Sequence, residues 1–298
     1  MSQGAPATVN GQRAIRHGLA ATCLRSSDGA TAIVADHGAH LLSWCPAGGE
    51  EALYLSPTSR YGATDAVRGG VPVIFPQFGE QGSGKRHGIA RVQPWTLQSV
   101  TIEDGAAVAC LRLQGRLPEP NAQDQPDHGK AEFSLTLQVR LHGAMLELGL
   151  TIENTGRMSW SCQAALHTYL RVDAVEHARI EGLQGCRYID QTASGAVSVQ
   201  STPHLDVAGE IDRIYTDAPS RLRLRDGRRR LDIAQRGFAN TVVWNPGPLK
   251  AATLADLPAQ GYREFVCIES AAIAARLVLA PGTSWHALQQ LSVLTPGT

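Results

Sequence analysis

Hydrophobic and polar side chains alternate along much of this 298-residue chain. In residues 133–141 every second position is apolar, and residues 146–152 repeat the pattern after a His142-Gly143 turn. Alternate side chains of a β-strand point to opposite faces, so a period of two indicates a strand with one buried face. The segment therefore predicts a β-hairpin that covers a hydrophobic core.

Shorter segments of the same kind recur, separated by turn residues. Asp104-Gly105 and Asp226-Gly227 predict two more hairpins, because Gly readily adopts the positive φ that tight turns require. Amphipathic helices are nearly absent, and the best candidate runs only from Lys250 to Leu257. Many short strands with Gly and Pro turns favour an all-β antiparallel sandwich or barrel. The further predicted strands are 31–35, 95–102, 107–114, 160–172, 178–183, 221–225, 230–235, 241–244, 264–270, 276–280 and 286–294.

No linker divides the chain. Residues 115–130 are polar and rich in Pro, which predicts a surface loop between strands rather than a domain boundary. We expect one domain over residues 1–298, with about 1–11 and 295–298 frayed, since chain ends are poorly ordered unless they are packed down.

Composition narrows the class of protein. With 43% hydrophobic residues the chain can bury a large core, and its formal net charge of zero argues against a nucleic-acid partner. Six scattered cysteines form no C-x-x-C pattern, which favours free thiols in a reducing compartment. The chain has neither a signal-peptide pattern nor an apolar run of about 18 residues. We therefore expect a cytoplasmic monomer with no membrane contact.

Residues 68–79 do not follow the alternating pattern of a β-strand. Arg68 is followed by two glycines, and Pro72 and Pro76 remove backbone donors, which predicts an irregular and rigid segment. The glycines would let a ligand approach the backbone beside Arg68. The alternative is a buried loop with a solvated arginine.

Residues 87–95 form a second unusual segment. His87, taken alone, is better explained as a structural histidine. Arg91 has a stronger functional case if it shares a pocket with Arg68, since guanidinium groups match phosphate oxygens. Any site for an anion must be local, because the net charge is zero.

A third candidate pairs two distant residues. Alternation puts His167 on one side of its strand together with Tyr169 and Arg171. Glu269 ends an apolar run, and burying a carboxylate there is costly unless it is paired or used. Each residue alone is equally well explained as an exposed strand position.

Together these segments resemble the aldose 1-epimerase superfamily, and within it the D-hexose-6-phosphate mutarotase branch. The resemblance runs in order from about residue 12 to 295. It implies a β-supersandwich (galactose-mutarotase-like) fold, with two large antiparallel sheets and few helices. It also implies interconversion of the α and β anomers of a hexose 6-phosphate without a cofactor or metal. The matching segments are RGGVPVIFPQFG (68–79), HGIAR (87–91), LHTY (166–169), VWNPG (243–247) and VCIE (266–269).

The resemblance implies two catalytic roles. His167 would protonate the ring oxygen as a general acid, and Glu269 would take the proton of the anomeric hydroxyl as a general base. The unperturbed pKa of His, about 6.5, suits a proton donor, and partial desolvation strengthens a carboxylate base. The ring closes again with both roles reversed.

The resemblance also implies how the substrate, a small sugar phosphate, is held. Arg68 and Arg91 would bind the 6-phosphate, His87 and Asp212 would bind sugar hydroxyls, and Gln77 would contact the sugar.

Several questions stay open at this point. The alternatives are an aldose 1-epimerase for free sugars, a non-catalytic sugar-binding protein of the same fold, and a glycoside hydrolase or lyase. A hydrolase usually needs two carboxylates, and Glu269 has no evident acidic partner in the matching segments. The identity of the hexose is open, as is whether Lys85 or Arg86 joins the phosphate site.

Overall fold

The computed structural model describes residues 11–82, 84–117, 131–227 and 229–294, which form 21 strands and one short α-helix. The first strands are β1 Gly11–Arg16, β2 Leu19–Arg25, β3 Thr31–Ala35, β4 Leu41–Cys45, β5 Val73–Ile74, β6 Thr96–Glu103, β7 Ala106–Arg116, β8 Glu132–His142, β9 Met145–Asn154 and β10 Trp160–Leu166. They are followed by β11 Tyr169–Arg171, β12 Arg179–Glu181, β13 Arg187–Asp190, β14 Ala196–Val199, β15 His204–Asp206, β16 Ile211–Tyr215, β17 Arg221–Asp226, β18 Arg229–Arg236, β19 Asn240–Asn245, β20 Phe265–Leu279 and β21 Ser284–Leu294. The helix α1 spans Gly247–Ala251.

Three sheets make up the described part. An eight-stranded sheet, here the front sheet, has the order β14-β13-β16-β19-β20-β10-β5, with β11 also paired to β20. A nine-stranded sheet, here the back sheet, has the order β15-β12-β17-β18-β21-β9-β8-β7-β6. Strands β1 to β4 form a separate four-stranded sheet. All pairings between these strands are antiparallel, which confirms the predicted all-β fold class.

The main hydrophobic core joins the two large sheets. One cluster of buried residues includes Leu137 and Leu150 of the back sheet together with Val243 and Ile268 of the front sheet. A second cluster lies on the opposite face of the front sheet and includes Trp244 and neighbouring side chains. Strand β19 is accordingly buried along its whole length. The front sheet is thus covered on both faces, by the back sheet on one side and by loops on the other.

The predicted hairpins are present. Strands β8 and β9 pair in register around the turn after His142, with alternating buried and more exposed positions. Asp104 and Gly105 both have positive φ, 51° and 84°, as a type I′ turn requires. The third hairpin pairs Asp226 with Arg229.

Other predictions need correction. Segments 264–270 and 276–280 belong, except for their outer residues Glu264 and Ala280, to one strand, β20, whose alanine-rich middle interrupts the alternation. Segment 160–172 is interrupted between β10 and β11. The helix predicted from Lys250 to Leu257 instead ends at Ala251 and continues as turns.

Several strands were not predicted at all. They are β1, β2, β4, β5 and β13 to β16. Strand β14, for example, has only four residues, all of them exposed, so it is too short for the alternation of Val197 and Val199 to identify it. Gly11, expected to be frayed, begins β1 and pairs with Leu24.

The remaining expectations for the chain ends and for most of the 115–130 loop lie outside the described residues. The single-domain organisation stays a prediction. All six cysteines lie in described segments and have free thiols. Within those segments, no helix has the length and apolar character needed to cross a membrane.

Candidate active site

The floor of a cavity of about 520 Å³ is formed by the loop-covered face of the front sheet. Since alternate residues of a strand share a face, neighbouring strands each contribute every second side chain. Cross-strand pairing places Asp212 opposite Trp244 and Val242 opposite Glu269. The floor residues are Asp212, Ile214, Val242, Trp244, Glu269, His167 and Tyr169.

Loops, together with helix α1, supply the walls of the same cavity. Its volume lies in the range typical of small-molecule sites. The wall residues are Ala66, Val67, Arg68, Phe78, Gly79, Glu80, Gln81, Arg86, His87, Arg91, Gln191, Lys250, Leu254 and Asp256. Of the seven residues predicted for the site, six therefore line one cavity.

His167 and Glu269 lie directly opposite each other on neighbouring strands. The register pairs Leu166 with Ser270 and Tyr169 with Cys267, which puts His167 against Glu269. The distance from His167 Nε2 to Glu269 Oε1 is 3.4 Å. Their exposed fractions are only 6% and 1%. The fold thus brings an imidazole and a carboxylate, far apart in sequence, to one buried contact.

A local break in the strand sets the position of His167. The Thr168 backbone N–H donates to the carbonyl of Leu166 at 3.0 Å, which closes a tight turn centred on His167. The His167 backbone N–H donates to Pro72 O at 3.0 Å. The irregular segment around Pro72 therefore supports the histidine, and the ladder resumes at Tyr169.

Burial governs the charge of this pair. Burial lowers the pKa of His167 well below its usual value, and the nearby His87 and Arg91 add to this effect. Burial raises the pKa of Glu269 well above its usual value, with the charge of Asp212 contributing. A neutral pair that shares one acidic proton is therefore favoured near pH 7. The two groups titrate as a coupled unit.

Arginine side chains give one wall a positive charge. Arg68 donates to both carboxylate oxygens of Asp256, at 3.2 and 3.1 Å, and to the Tyr169 hydroxyl at 3.2 Å. Arg91 donates to the carbonyl of Arg86 at 2.9 Å, and its buried Nε has no hydrogen-bond partner among the described residues. Burial lowers the pKa of Arg91 to about 10, so it still carries its charge near pH 7. Because Arg91 lines the cavity and has no carboxylate partner among the described residues, its guanidinium suits an anionic ligand.

His87 is held as a neutral hydrogen-bond donor. Burial, helped by the charges of the nearby arginines, lowers its pKa to about 2. The Gly79 backbone N–H donates to His87 Nδ1 at 3.2 Å, so the ring proton must be on Nε2. The ring also packs edge-to-face against His167, with centroids 5.5 Å apart.

Asp212 carries a carboxylate without a hydrogen-bond or ion-pair partner among the described residues. Burial raises its pKa to about 6 from an ordinary 3.8, although Lys250 opposes the shift. Between these values the folded protein binds more protons than the unfolded chain. The stability contribution of Asp212 is therefore complete below about pH 4 and is lost as the pH rises through about 6.

Replacing Asp212 with Asn should consequently stabilise the protein at pH 8. We expect a gain of about 1–2 kcal/mol in the free energy of unfolding, less than full linkage gives because the side chain is partly exposed. The gain should disappear near pH 4. Urea unfolding at both pH values, with the surface variant Asp206→Asn as control, measures it. A loss of stability at pH 8 would contradict this assignment.

Gln77 does not line the cavity. Its amide instead accepts from the Gly84 backbone N–H at 2.9 Å and donates to the Gly84 carbonyl at 3.2 Å. Its position supports the loop that carries His87 rather than contact with a ligand.

The two glycines after Arg68 serve the protein's own backbone, which corrects the expectation of close approach by a ligand. A Cβ on Gly69 would lie 2.3 Å from Tyr54 O, and one on Gly70 would lie 2.2 Å from Leu41 O. Both have positive φ. Their conformation lets the segment pack tightly and so fixes Arg68 at the cavity wall.

Sequence reasoning left some wall and floor residues without a role. Trp244 belongs to β19, which is buried at every position, so no alternation distinguishes its face. Asp256 also had no local signal, because it contacts Arg68 across 188 residues of sequence. Of the two cations left open, Arg86 lines the cavity and Lys85 does not. Among the described residues, no group of three or more His, Cys, Asp or Glu side chains could hold a metal ion.

The sequence of this chain is similar to those of known proteins over most of its length. A protein from Escherichia coli strain K12, provisionally named glucose-6-phosphate 1-epimerase, is 35% identical over 262 residues, which cover 83% of this chain and 85% of that protein. A protein from Cenchrus ciliaris with the same provisional name is 29% identical over 286 residues, which cover 93% and 85%.

Structural similarity extends over nearly the whole chain. The crystal structure of a provisionally assigned mutarotase from Salmonella typhimurium has a TM-score of 0.84 at 28% identity and covers 97% of this chain and 95% of its own. This similarity confirms the predicted galactose-mutarotase-like fold. A sequence profile described as Aldose 1-epimerase matches residues 21–292. The chain therefore belongs to the aldose 1-epimerase family of isomerases.

Proposed function

We propose that this protein interconverts the α and β anomers of a hexose 6-phosphate, with glucose 6-phosphate as the first candidate. One observation carries the proposal: the cavity that contains the His167–Glu269 pair is also lined by Arg68 and Arg91. An acid–base pair suits ring opening at C1, and guanidinium groups suit a phosphate at the other end of the sugar. The provisional names of the relatives support the same substrate.

The chemistry needs one proton donor and one acceptor. His167 donates a proton to the ring oxygen O5 while the C1–O5 bond breaks, and Glu269 accepts the proton of the C1 hydroxyl. The product is the open-chain aldehyde. Rotation about C1–C2 presents the other carbonyl face. Closure then returns the O5 proton to His167 and the Glu269 proton to O1, so the enzyme ends as it began.

The buried pair can reach its working protonation state without exchange with solvent. Near pH 7 it holds one acidic proton, and moving that proton from Glu269 to His167 across their 3.4 Å contact leaves the net charge unchanged. Arg68 and Arg91 lower the pKa of His167. A bound phosphate opposes their field, so it favours the protonated imidazole. The substrate would thus help to prepare the acid.

The remaining predicted residues suit recognition of the sugar. The Nε2–H of His87 is a donor, and Asp212 is an acceptor above about pH 6. The two therefore offer complementary partners for hydroxyl groups. Binding energy from the phosphate would then orient C1 between His167 and Glu269.

Exchange NMR on α-glucose 6-phosphate and on α-glucose, with each rate compared with its own uncatalysed rate, tests the proposal. We expect kcat/KM for the phosphate to exceed that for free glucose by at least about 10²-fold, which is the gain from two charge-assisted contacts. Equal acceleration of both sugars would instead indicate a free-sugar epimerase. No acceleration of either, with binding retained, would indicate a sugar-binding protein.

A further inference from the structure

A buried amide on the back sheet lies directly behind the catalytic pair. Gln289 belongs to β21 and has no exposed surface. Its Oε1 accepts a hydrogen bond from the Thr168 hydroxyl at 2.5 Å. Its Nε2 donates to the Ser270 hydroxyl at 2.9 Å and to the Ile268 carbonyl at 3.4 Å. The partners flank the pair: Thr168 follows His167, while Ile268 and Ser270 enclose Glu269.

Strand alternation explains this arrangement. His167 and Glu269 point to the cavity face of the front sheet, so the neighbouring Thr168 and Ser270 point to the opposite face. That face packs against the back sheet, where Gln289 is located. Thr168 and Ser270 are also buried. One side chain therefore joins both catalytic strand segments from the side that the substrate cannot reach.

We propose that Gln289 is a positioning residue that fixes the separation of His167 and Glu269. The inference rests on the proposed function for its catalytic consequence, but its geometry is independent of the substrate. His167 lies at a break between β10 and β11, where its own N–H donates to Pro72 O and the carbonyl of Thr168 accepts from the Ile268 N–H at 3.2 Å. The Gln289 bridge adds a side-chain constraint to these backbone bonds, on the face away from the cavity. A misplacement of about 1 Å at a catalytic centre can lower the rate by about 10²-fold.

The first test replaces Gln289 with Met, which keeps the volume and removes the amide. We expect kcat for glucose 6-phosphate to fall by about 10- to 100-fold. KM should change by less than about threefold, because the substitution does not touch Arg68 or Arg91. The control is Asn154→Leu. It removes a buried amide of the same sheet that bonds to Met158 O and Leu279 O, away from the cavity. That control should lose stability but keep kcat.

A second pair of variants decides the matter if the Gln289 variant does not fold. Thr168→Val removes the hydroxyl that reaches Gln289, and Thr168→Ser keeps it. We expect the Val variant to lose kcat as above and the Ser variant to recover most of it. Where all variants fold, the double variant Gln289→Met/Thr168→Val should lose no more kcat than either single variant does. Both substitutions break the same hydrogen-bonded bridge, so their effects should not add.

A readout without substrate separates this inference from the proposed function. Nitrogen-15 NMR of the His167 ring, assigned by its loss in His167→Gln, should show altered shifts and pH titration in Gln289→Met and in Thr168→Val but not in Asn154→Leu. If the wild type does not interconvert anomers, the proposed function fails and this measurement still decides the positioning role. Unchanged His167 signals, or an equal loss of kcat in Asn154→Leu, would overturn the inference.

Discussion

Replacing Glu269 with Gln is expected to lower kcat for anomer interconversion by about 10³-fold, in line with the contribution of one positioned base. The amide has the same shape but cannot take the proton of the C1 hydroxyl. His167 Nε2 contacts this carboxylate at 3.4 Å, so the change also removes the group that shares a proton with the acid. Polarimetry or exchange NMR on α-glucose 6-phosphate measures the loss.

Stability distinguishes a catalytic defect from misfolding in this variant. Burial raises the pKa of Glu269, so the ionised carboxylate is costly to the folded state at high pH. Glu269→Gln should therefore be at least as stable as the wild type at pH 8. In the double variant Glu269→Gln/His167→Gln, kcat should lie within about tenfold of the kcat of the slower single variant. The two losses do not multiply, because both residues act in the same step.

The control for this experiment is Glu147→Gln on β9, a carboxylate-to-amide change in the back sheet. It should leave kcat within about twofold, the usual outcome for a surface change that touches no buried network. A Glu269→Gln enzyme that retains more than a tenth of the wild-type kcat would remove Glu269 from the role of base.

Alternation predicted the sheets best where one face is buried and the other meets solvent. The β8–β9 hairpin satisfies this condition, and its pattern of burial follows the sequence closely. Strand β14 does not, because all its residues are exposed. Strand β20 also escaped, since its alanine-rich middle interrupts the alternation and its pairing with β10 shifts register there, between Ala272 and Leu277.

For the site, alternation correctly put His167 and Tyr169 on one face of the chain. Their rings stack with centroids 4.8 Å apart. Alternation could not supply the register that sets His167 against Glu269, because strand order in a sheet is a property of the whole topology. Only the resemblance to a known family connected the two segments before the structure did.

Contacts between distant loops were beyond sequence reasoning. Asp256 lies in the turns after α1 and holds Arg68 through two hydrogen bonds. Nothing in its local sequence distinguishes it from a solvated surface aspartate. Gln77 illustrates the opposite error, since a segment that matches a family suggested ligand contact for a side chain that braces a loop.

The selectivity for phosphate should depend on Arg91 and Arg68. We expect Arg91→Met to lower kcat/KM for glucose 6-phosphate by about 10- to 100-fold, because a hydrogen bond to a charged group contributes about 1.5–3 kcal/mol. Use of free glucose should change by less than about threefold. Parallel exchange NMR with both sugars measures the ratio that decides the prediction.

Arg91→Met is the cleaner of the two arginine variants. Arg68→Ala should cause a similar loss of preference, but it also leaves the Asp256 carboxylate without its partner. Arg91 has no carboxylate partner among the described residues, and burial lowers its pKa to about 10, which shows that its charge is costly to the folded state. Its removal should therefore maintain or increase stability while it weakens phosphate use. The control is Arg223→Met in the back sheet, which breaks the ion pair with Asp232. It should leave kcat/KM unchanged for both sugars. If both cavity variants keep more than half of the preference for the phosphorylated sugar, these guanidinium groups do not hold the phosphate.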